Sequence, residues 1–285
     1  MSAPADWQWD IAGVTLGDGT VYGIVASAGL HGAEEIRSSD DPRPQAHGVF
    51  LGRDYLGARL VSLEVAITAD DAAAARAAVE ELAAAWHMTG PAEGETEPLR
   101  FRLPGRPAQR LMGRPRRAAF DTSRLQAGRV RAELEYFAAD PYIYADEAES
   151  VALPLTAESV GRTYPRTYPL TYGAALSGVA IVTNSGTVPT HPTIRIVGPV
   201  DNPQVENVTA GEYVRIALSL TADDYLDVDM ASGTVMLNGT ASRRSALTSE
   251  STWWALAPGD NEVRARADTV QTGAVAAVSW RSAWI

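Results

Sequence analysis

Short segments in which apolar and polar residues alternate dominate this chain of 285 residues. Apolar side chains occupy every second position in residues 61–67, 99–103 and 130–136. This period of two is typical of strands that bury one face. The polar positions between them carry arginine and glutamate, which suit a face turned to water or to a partner. The first half of the chain is therefore predicted to be mainly antiparallel sheet.

One segment has helical spacing instead. Residues 70–88 are rich in alanine, begin with two aspartates that suit a helix start, and are followed by Gly90-Pro91. Val79, Leu82 and Trp86 recur at the spacing of one helix face. We predict a single amphipathic helix that packs on the sheet of its own domain.

The length suggests two domains, and the chain changes character after Tyr144. Residues 147–173 contain three prolines and a repeated Arg-Thr-Tyr-Pro, which favours extended backbone. We interpret this segment as a linker or as an arm that reaches a neighbour, with tyrosines at 164, 168 and 172. The predicted domains are 1–146, β-rich with the helix, and 174–285, an all-β sandwich.

The second domain is predicted from short strands that turn residues separate at close intervals. The predicted strands are 179–182, 193–197, 213–220, 225–230, 234–237, 262–267 and 275–280.

Composition excludes several kinds of chemistry. The chain has no cysteine, and its basic residues are all arginine, so thiolate sites and lysine-dependent phosphate loops are absent. The four histidines, at 31, 47, 87 and 191, show no metal-binding spacing. We predict no catalytic residue, no metal site and no cofactor. The net charge of −11 argues against nonspecific binding of nucleic acid, and the most apolar stretch, 174–182, is too short to span a membrane.

Four aspartates, at 223, 224, 227 and 229, invite comparison with a calcium site or a glycosidase pair. Asp227 and Asp229 alternate with apolar residues, however, which places them on one side of a strand. We favour a solvated strand face.

Arginines are concentrated in residues 100–131, where ten of them accompany a single acid, Asp121. Aromatic residues that would stack nucleic-acid bases are not interleaved with them. We predict that this arginine belt faces an acidic surface of a neighbouring subunit; a solvated face is the alternative. The candidate interface residues are Arg110, Arg114, Arg116 and Arg117.

Two adjacent tryptophans, Trp253 and Trp254, are the candidates for stacking a sugar. Neighbouring residues on a strand point to opposite faces, so one of the two is predicted to lie in the core.

An ordered series of motifs between about residues 130 and 285 resembles the distal tail protein family of long-tailed phages, also called Dit. Phe137-Ala-Ala-Asp-Pro-Tyr-Ile-Tyr144 is similar to the motif that closes the family's first domain. The others are Thr187–Pro199, Asp201-Asn-Pro203, Tyr225-Leu-Asp-Val-Asp229, Val235–Thr240, Arg243–Leu247, Thr252-Trp-Trp254, Leu256–Val263 and Val278–Trp284.

This resemblance implies a structural protein of the virion, located at the tail tip and without enzymatic activity. Its N-terminal domain would assemble into a ring of six subunits, and its C-terminal domain would be a galectin-like sandwich. The implied partners are further copies of the chain, the tail tube protein, the tail-tip hub protein and the tape measure protein, with no membrane and no sequence-specific nucleic acid. The composition resembles that of phages with actinobacterial hosts. The alternative function is a tail adhesin that binds host cell-wall glycans.

Overall fold

The computed structural model describes residues 3–32, 35–87, 92–157 and 178–285. The chain divides into two compact units. The first comprises Met1–Glu147 with Trp284–Ile285, and the second comprises Ala148–Ala283. The described residues are mainly strand with one α-helix, which confirms the predicted fold class.

The first unit is built on a nine-stranded antiparallel sheet in the order β2-β1-β9-β10-β11-β8-β3, with β12 on β10 and β27 on β12. The nine strands of this sheet are β1 (Gln8–Ile11), β2 (Val14–Gly17), β3 (Tyr22–Ala28), β8 (Arg59–Thr68), β9 (Glu97–Arg102), β10 (Gln109–Asp121), β11 (Arg129–Ala138), β12 (Ile143–Ala145) and β27 (Ala283–Trp284). Four short strands lie outside it: β4 (Ile36–Arg37), β5 (Asp41–Pro42), β6 (Val49–Phe50) and β7 (Tyr55–Leu56).

Alternation places the apolar residues of these strands on one face, as predicted for 61–67, 99–103 and 130–136. Tyr136 fixes three strands of this sheet to one another. Its buried hydroxyl donates to the carbonyl of Glu97 on β9 at 2.6 Å and lies 3.0 Å from that of Leu111 on β10. A buried hydroxyl needs such partners because leaving it unbonded would be costly.

Helix α1 spans Ala72–Ala85, shorter than the predicted 70–88. Asp71 is the N-cap rather than a helical residue, and its carboxylate accepts a hydrogen bond from the Ala74 amide at 2.8 Å. Trp86 ends the helix, and residue 88 lies outside the described residues. Leu82 and Trp86 are buried and Val79 is half-buried, so the predicted apolar face packs on the sheet.

The second unit contains two larger sheets, in the orders β13-β26-β16-β21-β22-β23 and β14-β24-β18-β19, with β15 on β24, and a small sheet β20-β17-β25. Its strands are β13 (Glu149–Pro154), β14 (Thr156–Ala157), β15 (Val179–Asn184), β16 (Thr193–Val197), β17 (Val200–Asp201), β18 (Gln204–Asn207), β19 (Glu212–Arg215), β20 (Ser219–Leu220), β21 (Tyr225–Asp229), β22 (Thr234–Leu237), β23 (Ala241–Ser242), β24 (Gly259–Ala267), β25 (Thr269–Val270) and β26 (Val275–Trp280).

The inward faces of the two larger sheets share one apolar core, so the unit is a β-sandwich. Six of the seven predicted strands are present, with ends that differ by a few residues. The seventh, 213–220, is two strands, β19 and β20, because the Ala217 amide turns away to the Ala246 carbonyl at 2.7 Å and the Leu218 amide bonds back to the Ile216 carbonyl at 2.9 Å.

The start of the predicted linker, 147–173, belongs to the sandwich. β13 pairs antiparallel with β26 over six residues, and β14 pairs in parallel with β24. A linker was the wrong interpretation for these residues: Leu153 and Leu155 are buried in the core of the second unit. Residues 158–173, including the three tyrosines at 164, 168 and 172, lie outside the described residues.

Candidate assembly interface

A thin β-hairpin, residues 35–57, leaves the first unit between β3 and β8; we call it the arm. Its four short strands pair with one another, β4 with β7 and β5 with β6, and with no other strand of the described residues. Every residue from 35 to 55 is exposed. Five large apolar side chains on it lie between 44% and 86% exposed: Ile36, Val49, Phe50, Leu51 and Tyr55. Exposed apolar residues grouped in this way are typical of a surface that binds a partner.

Local contacts give the arm a defined shape. The Gly52 amide donates to the Asp40 carboxylate at 2.8 Å across the hairpin. The guanidinium of Arg43 lies over the Phe50 ring at 5.1 Å, an arrangement that favours both groups. The arm therefore presents a folded apolar edge, with cations beside it.

A buried arginine fixes the root of the arm. Arg59 is fully buried at the start of β8; its Nη1 donates to the Gly29 carbonyl and its Nε to the Pro141 carbonyl, both at 2.7 Å. These bonds join the residue that follows β3 to the loop that follows β11. The direction in which the arm leaves the domain is thus set by core contacts.

Several arginines of the belt form hydrogen bonds and ion pairs within their own unit. The guanidinium of Arg110 donates to the carboxylate of Asp146 and also to the backbone carbonyl of Asp146, at 2.7–2.9 Å. Arg114 donates to the carbonyls of Glu95 and Ala92. Two of the four predicted interface residues therefore serve their own domain.

Arg116 and Arg117 are the exposed members of the predicted set. Arg116 lies over the Phe137 ring at 4.9 Å, and Arg117 pairs with Glu135 at 3.3 Å on the surface. Exposed pairs of this kind contribute about 0–1 kcal/mol, so they leave both cations available to a stronger partner.

Two arginines of the belt share one buried carboxylate. Asp146, whose side chain is 2% exposed, binds Arg100 and Arg110, and Arg100 also lies 3.6 Å from Asp10. Burial raises the pKa of Asp146, but hydrogen bonds from Arg100 and Arg110 outweigh it and hold that pKa below its ordinary value. The pKa of Asp10 is raised, because the effect of its burial exceeds the opposing effect of the nearby positive charge of Arg100. The group is a structural ion network that ties β1, β9 and β10 to residue 146.

Comparisons with known proteins find a similar family and similar folds. Residues 185–284 match the family model described as the siphovirus-type tail component, C-terminal domain. This span covers most of the sandwich. Residues 185–284 of the second unit are thus similar to a siphovirus-type tail component domain. The resemblance predicted from the motif series is confirmed.

Solved structures share the fold over nearly the whole chain. The Dit protein of phage SPP1, described as a paradigm of the hub adsorption apparatus in phages that infect Gram-positive hosts, is 15% identical with a TM-score of 0.67. The match covers 98% of this chain and 99% of that one. A chain of the phage P2 baseplate in its activated conformation with Ca is 8% identical, with a TM-score of 0.50 and coverage of 95% and 97%. No curated protein matches the sequence.

Of the two candidate tryptophans for stacking a sugar, the structure buries Trp254. Trp254 is 1% exposed in the core, so the prediction that it can stack a sugar is wrong. Trp253 is half-buried, and its ring is covered by the guanidinium of Arg244 at 5.7 Å. One tryptophan of the pair is core, as the alternation predicted.

The acidic strand of this domain has structural partners. Asp227 binds Arg195 on the neighbouring strand through two hydrogen bonds of 2.7 and 2.9 Å. Asp229 accepts hydrogen bonds from the Ala231 amide and the Ser232 hydroxyl in the following turn. Among the residues that the structure describes, no group of three or more histidine, aspartate or glutamate side chains could hold a metal ion. Within the same residues, no helix is long and apolar enough to cross a membrane.

The sequence analysis did not predict the arm or the buried Arg59 at its base. A turn-forming segment, 42–48, stands directly before the apolar segment 49–51, and this was the available signal for a hairpin. Arg59 stands two residues before Val61, on the inward-facing parity of the strand, which indicated a buried arginine with specific acceptors.

Proposed function

We propose that this protein is a structural distal tail protein of a long-tailed phage, and that it forms a ring joining the tail tube to the tail-tip hub. The observation that carries the proposal is the fold, shared over 98% of the chain with the Dit protein of phage SPP1. The family match over residues 185–284 supports it independently of that likeness. The role is one of assembly, without enzymatic activity.

The first unit is the part that we assign to the ring. It carries the exposed arm, and an isolated two-stranded hairpin is marginal in water, so its apolar edge gains most from contact with another chain. We propose six copies per ring, the number that the family resemblance implies. The tail tube protein, the hub protein and the tape measure protein are its proposed neighbours in the tail tip, and the galectin-like sandwich is proposed to lie at the periphery.

Labelling of particles tests the proposed location. Antibodies raised against the purified chain, detected with gold on virions of the phage that encodes it, are expected to mark the tail tip beyond the end of the tube. Gold on the capsid, along the whole tube, or nowhere on intact virions would contradict the proposal.

The exposed part of the arginine belt supplies a prediction about assembly. Replacing Arg116 and Arg117 together by glutamine is expected to weaken ring formation severalfold, because each exposed ion pair contributes only about 0–1 kcal/mol. High salt is expected to weaken the parent ring in the same way, since charges at a wet interface are screened within about 8–10 Å at 0.1–0.15 M salt. Light scattering over a concentration series measures both effects.

The matched control replaces Arg76 and Arg244, which are exposed and lie outside the belt, by glutamine. It makes the same change in net charge and is expected to leave assembly unaltered. Equal behaviour of the two double variants would remove Arg116 and Arg117 from the interface.

A further inference from the structure

A groove of about 430 Å³ lies on the outer face of the sheet β13-β26-β16-β21-β22-β23 in the second unit. Its volume falls within the range of about 300–1,000 Å³ that is usual for small-molecule sites. Polar side chains from four neighbouring strands turn away from the core and line it: Thr193, Arg195, Asp227, Asp229, Thr234 and Ser279.

Strand register places four short, oxygen-bearing side chains of the groove in one row. Thr193 on β16 is opposite Ser279 on one side and Asp229 on the other. Asp229 is in turn opposite Thr234 on β22, and the Ser232 hydroxyl bridges these two, at 2.8 Å from the carboxylate and 3.0 Å from the hydroxyl. Neighbouring strands lie about 4.7–4.9 Å apart, so oxygen atoms recur at about that interval across the groove. The row supplies both the donors and the acceptors that the hydroxyl groups of a ligand require.

The next row of the sheet holds an arginine in a fixed position. Arg195 donates to the Asp227 carboxylate through Nε at 2.7 Å and through Nη2 at 2.9 Å, and its guanidinium lies over the Tyr225 ring at 4.7 Å. The two bonds use two of the five N–H donors of a guanidinium, so a ligand can still bind to the others. Because these contacts already order both side chains, a ligand that binds them loses less affinity to side-chain ordering.

Small and apolar side chains complete this second row. Ala277 on β26 is opposite Arg195, and the next residue in the row is Ala152 on β13. On the other side Met236 is opposite Asp227 and adds an adaptable apolar surface. The groove therefore combines hydrogen-bonding groups with apolar surface. A sugar ring has the same combination, with hydroxyl groups at its edge and C–H groups on its faces.

The charge of the groove restricts its ligand further. Arg195 contributes one positive charge, and Asp227 and Asp229 contribute two negative charges, so the net charge is −1. The only cation that lines the groove already has a carboxylate partner. A phosphate or a sugar acid would meet like charge here, which disfavours binding by a ligand of that kind.

We propose that this groove binds a neutral saccharide. The inference goes beyond the proposed ring, which is assigned to the first unit, because it gives the sandwich a ligand of its own. It also involves neither of the tryptophans that the sequence suggested for a sugar, since Trp253 and Trp254 do not line this groove.

Saturation-transfer NMR on the full chain tests the proposal with defined probes. The neutral probes are glucose, galactose, mannose and N-acetylglucosamine, with the disaccharides maltose, cellobiose, lactose and chitobiose. Transfer to the protons of at least one neutral sugar is expected. Glucuronic and galacturonic acid are expected to bind at least about tenfold more weakly than the neutral sugar that binds, because of their charge. No transfer to any neutral probe, or tighter binding of the acids, would overturn the proposal.

A substitution in the floor of the groove locates the binding. Ala277→Leu fills space there without a change in charge and is expected to raise the dissociation constant of the bound sugar at least about tenfold, because the larger side chain clashes with the ligand. The matched control is Ala210→Leu, at an exposed position between β18 and β19 outside the groove. Unchanged affinity in Ala277→Leu, or an equal loss in the control, would place the sugar elsewhere and overturn the proposal.

A conservative variant covers the case in which Ala277→Leu does not fold. Asp227→Asn keeps the shape of the side chain but loses its charge, and it is expected to weaken sugar binding severalfold to about tenfold, since hydrogen bonds to charged groups are the stronger ones. The control, Glu206→Gln, changes an ion pair on the other sheet, where Glu206 binds Arg266 at 2.7 Å. Equal affinities in these two variants would overturn the proposal.

Electron microscopy of the same variants separates this proposal from the ring. Rings are expected in all of them, so a loss of sugar binding in intact rings belongs to the groove alone. A parent chain that binds a neutral sugar but stays a monomer would contradict the ring and support the groove.

Discussion

Replacing Trp86 by alanine is expected to lower the free energy of unfolding of the N-terminal unit by about 3–5 kcal/mol, the range for removing a large buried side chain. Trp86 is 3% exposed and packs with Leu82 on the sheet, and its indole N–H donates to the Glu135 carbonyl at 3.2 Å. The substitution leaves a cavity and takes away the donor of that hydrogen bond. Urea unfolding followed by circular dichroism measures the loss.

The control on the same helix is Arg76→Ala, at an exposed position. Its effect is expected to stay within about 0.5 kcal/mol, as is usual for surface substitutions without special contacts. A loss below about 1 kcal/mol for Trp86→Ala would mean that the helix does not pack on the sheet as described.

Asp146→Asn is expected to cost about 3–5 kcal/mol at neutral pH, because removing one partner of a buried ion pair leaves the others uncompensated. Here Arg100 and Arg110 would both lose their carboxylate, and their side chains are only 11% and 22% exposed. The matched control is Asp6→Asn, whose carboxylate pairs with Arg102 at 2.8 Å but is 53% exposed; about 0–1 kcal/mol is expected.

The same substitution has a pH dependence whose sign follows from the lowered pKa of Asp146. A carboxylate with a lower pKa in the folded state stabilises the fold above its unfolded pKa of about 3.9, and this contribution disappears as the pH falls through the folded pKa. The difference between parent and Asp146→Asn is therefore expected to be full at pH 6–7 and to shrink below about pH 4. A difference that grows in acid would contradict the network.

The sequence allowed the strands and the helix to be predicted because their burial follows a regular period. Residues 61–67 and 130–136 bury alternate side chains on a large sheet, and 72–85 buries one face. The linker prediction was wrong for residues 149–157, which form β13 and β14, because the proline within this segment was taken as evidence against a strand. Pro154 ends β13, an edge strand of its sheet, where a missing amide is tolerated, so the proline did not prevent strand pairing.

The candidate assembly surface was less predictable, because it depends on which arginines are already paired within their own unit. The belt could be predicted from the local composition. The partners of its arginines could not, because only the fold brings Asp146 close to Arg110, and the carbonyls of residues 92 and 95 close to Arg114. The arm is similarly hidden, since its strands have only two residues each and no alternation long enough to read. Trp253 and Trp254 lie outside the strands, between β23 and β24, so strand alternation could not specify that Trp254 is the buried one.

Negative-stain electron microscopy of the purified chain tests the central claim most directly. The proposed function predicts closed rings with sixfold symmetry in the class averages, formed by the first unit with the sandwiches around it. Particles of the size of a single 30.3 kDa chain at every concentration, or compact dimers with twofold symmetry, would contradict it.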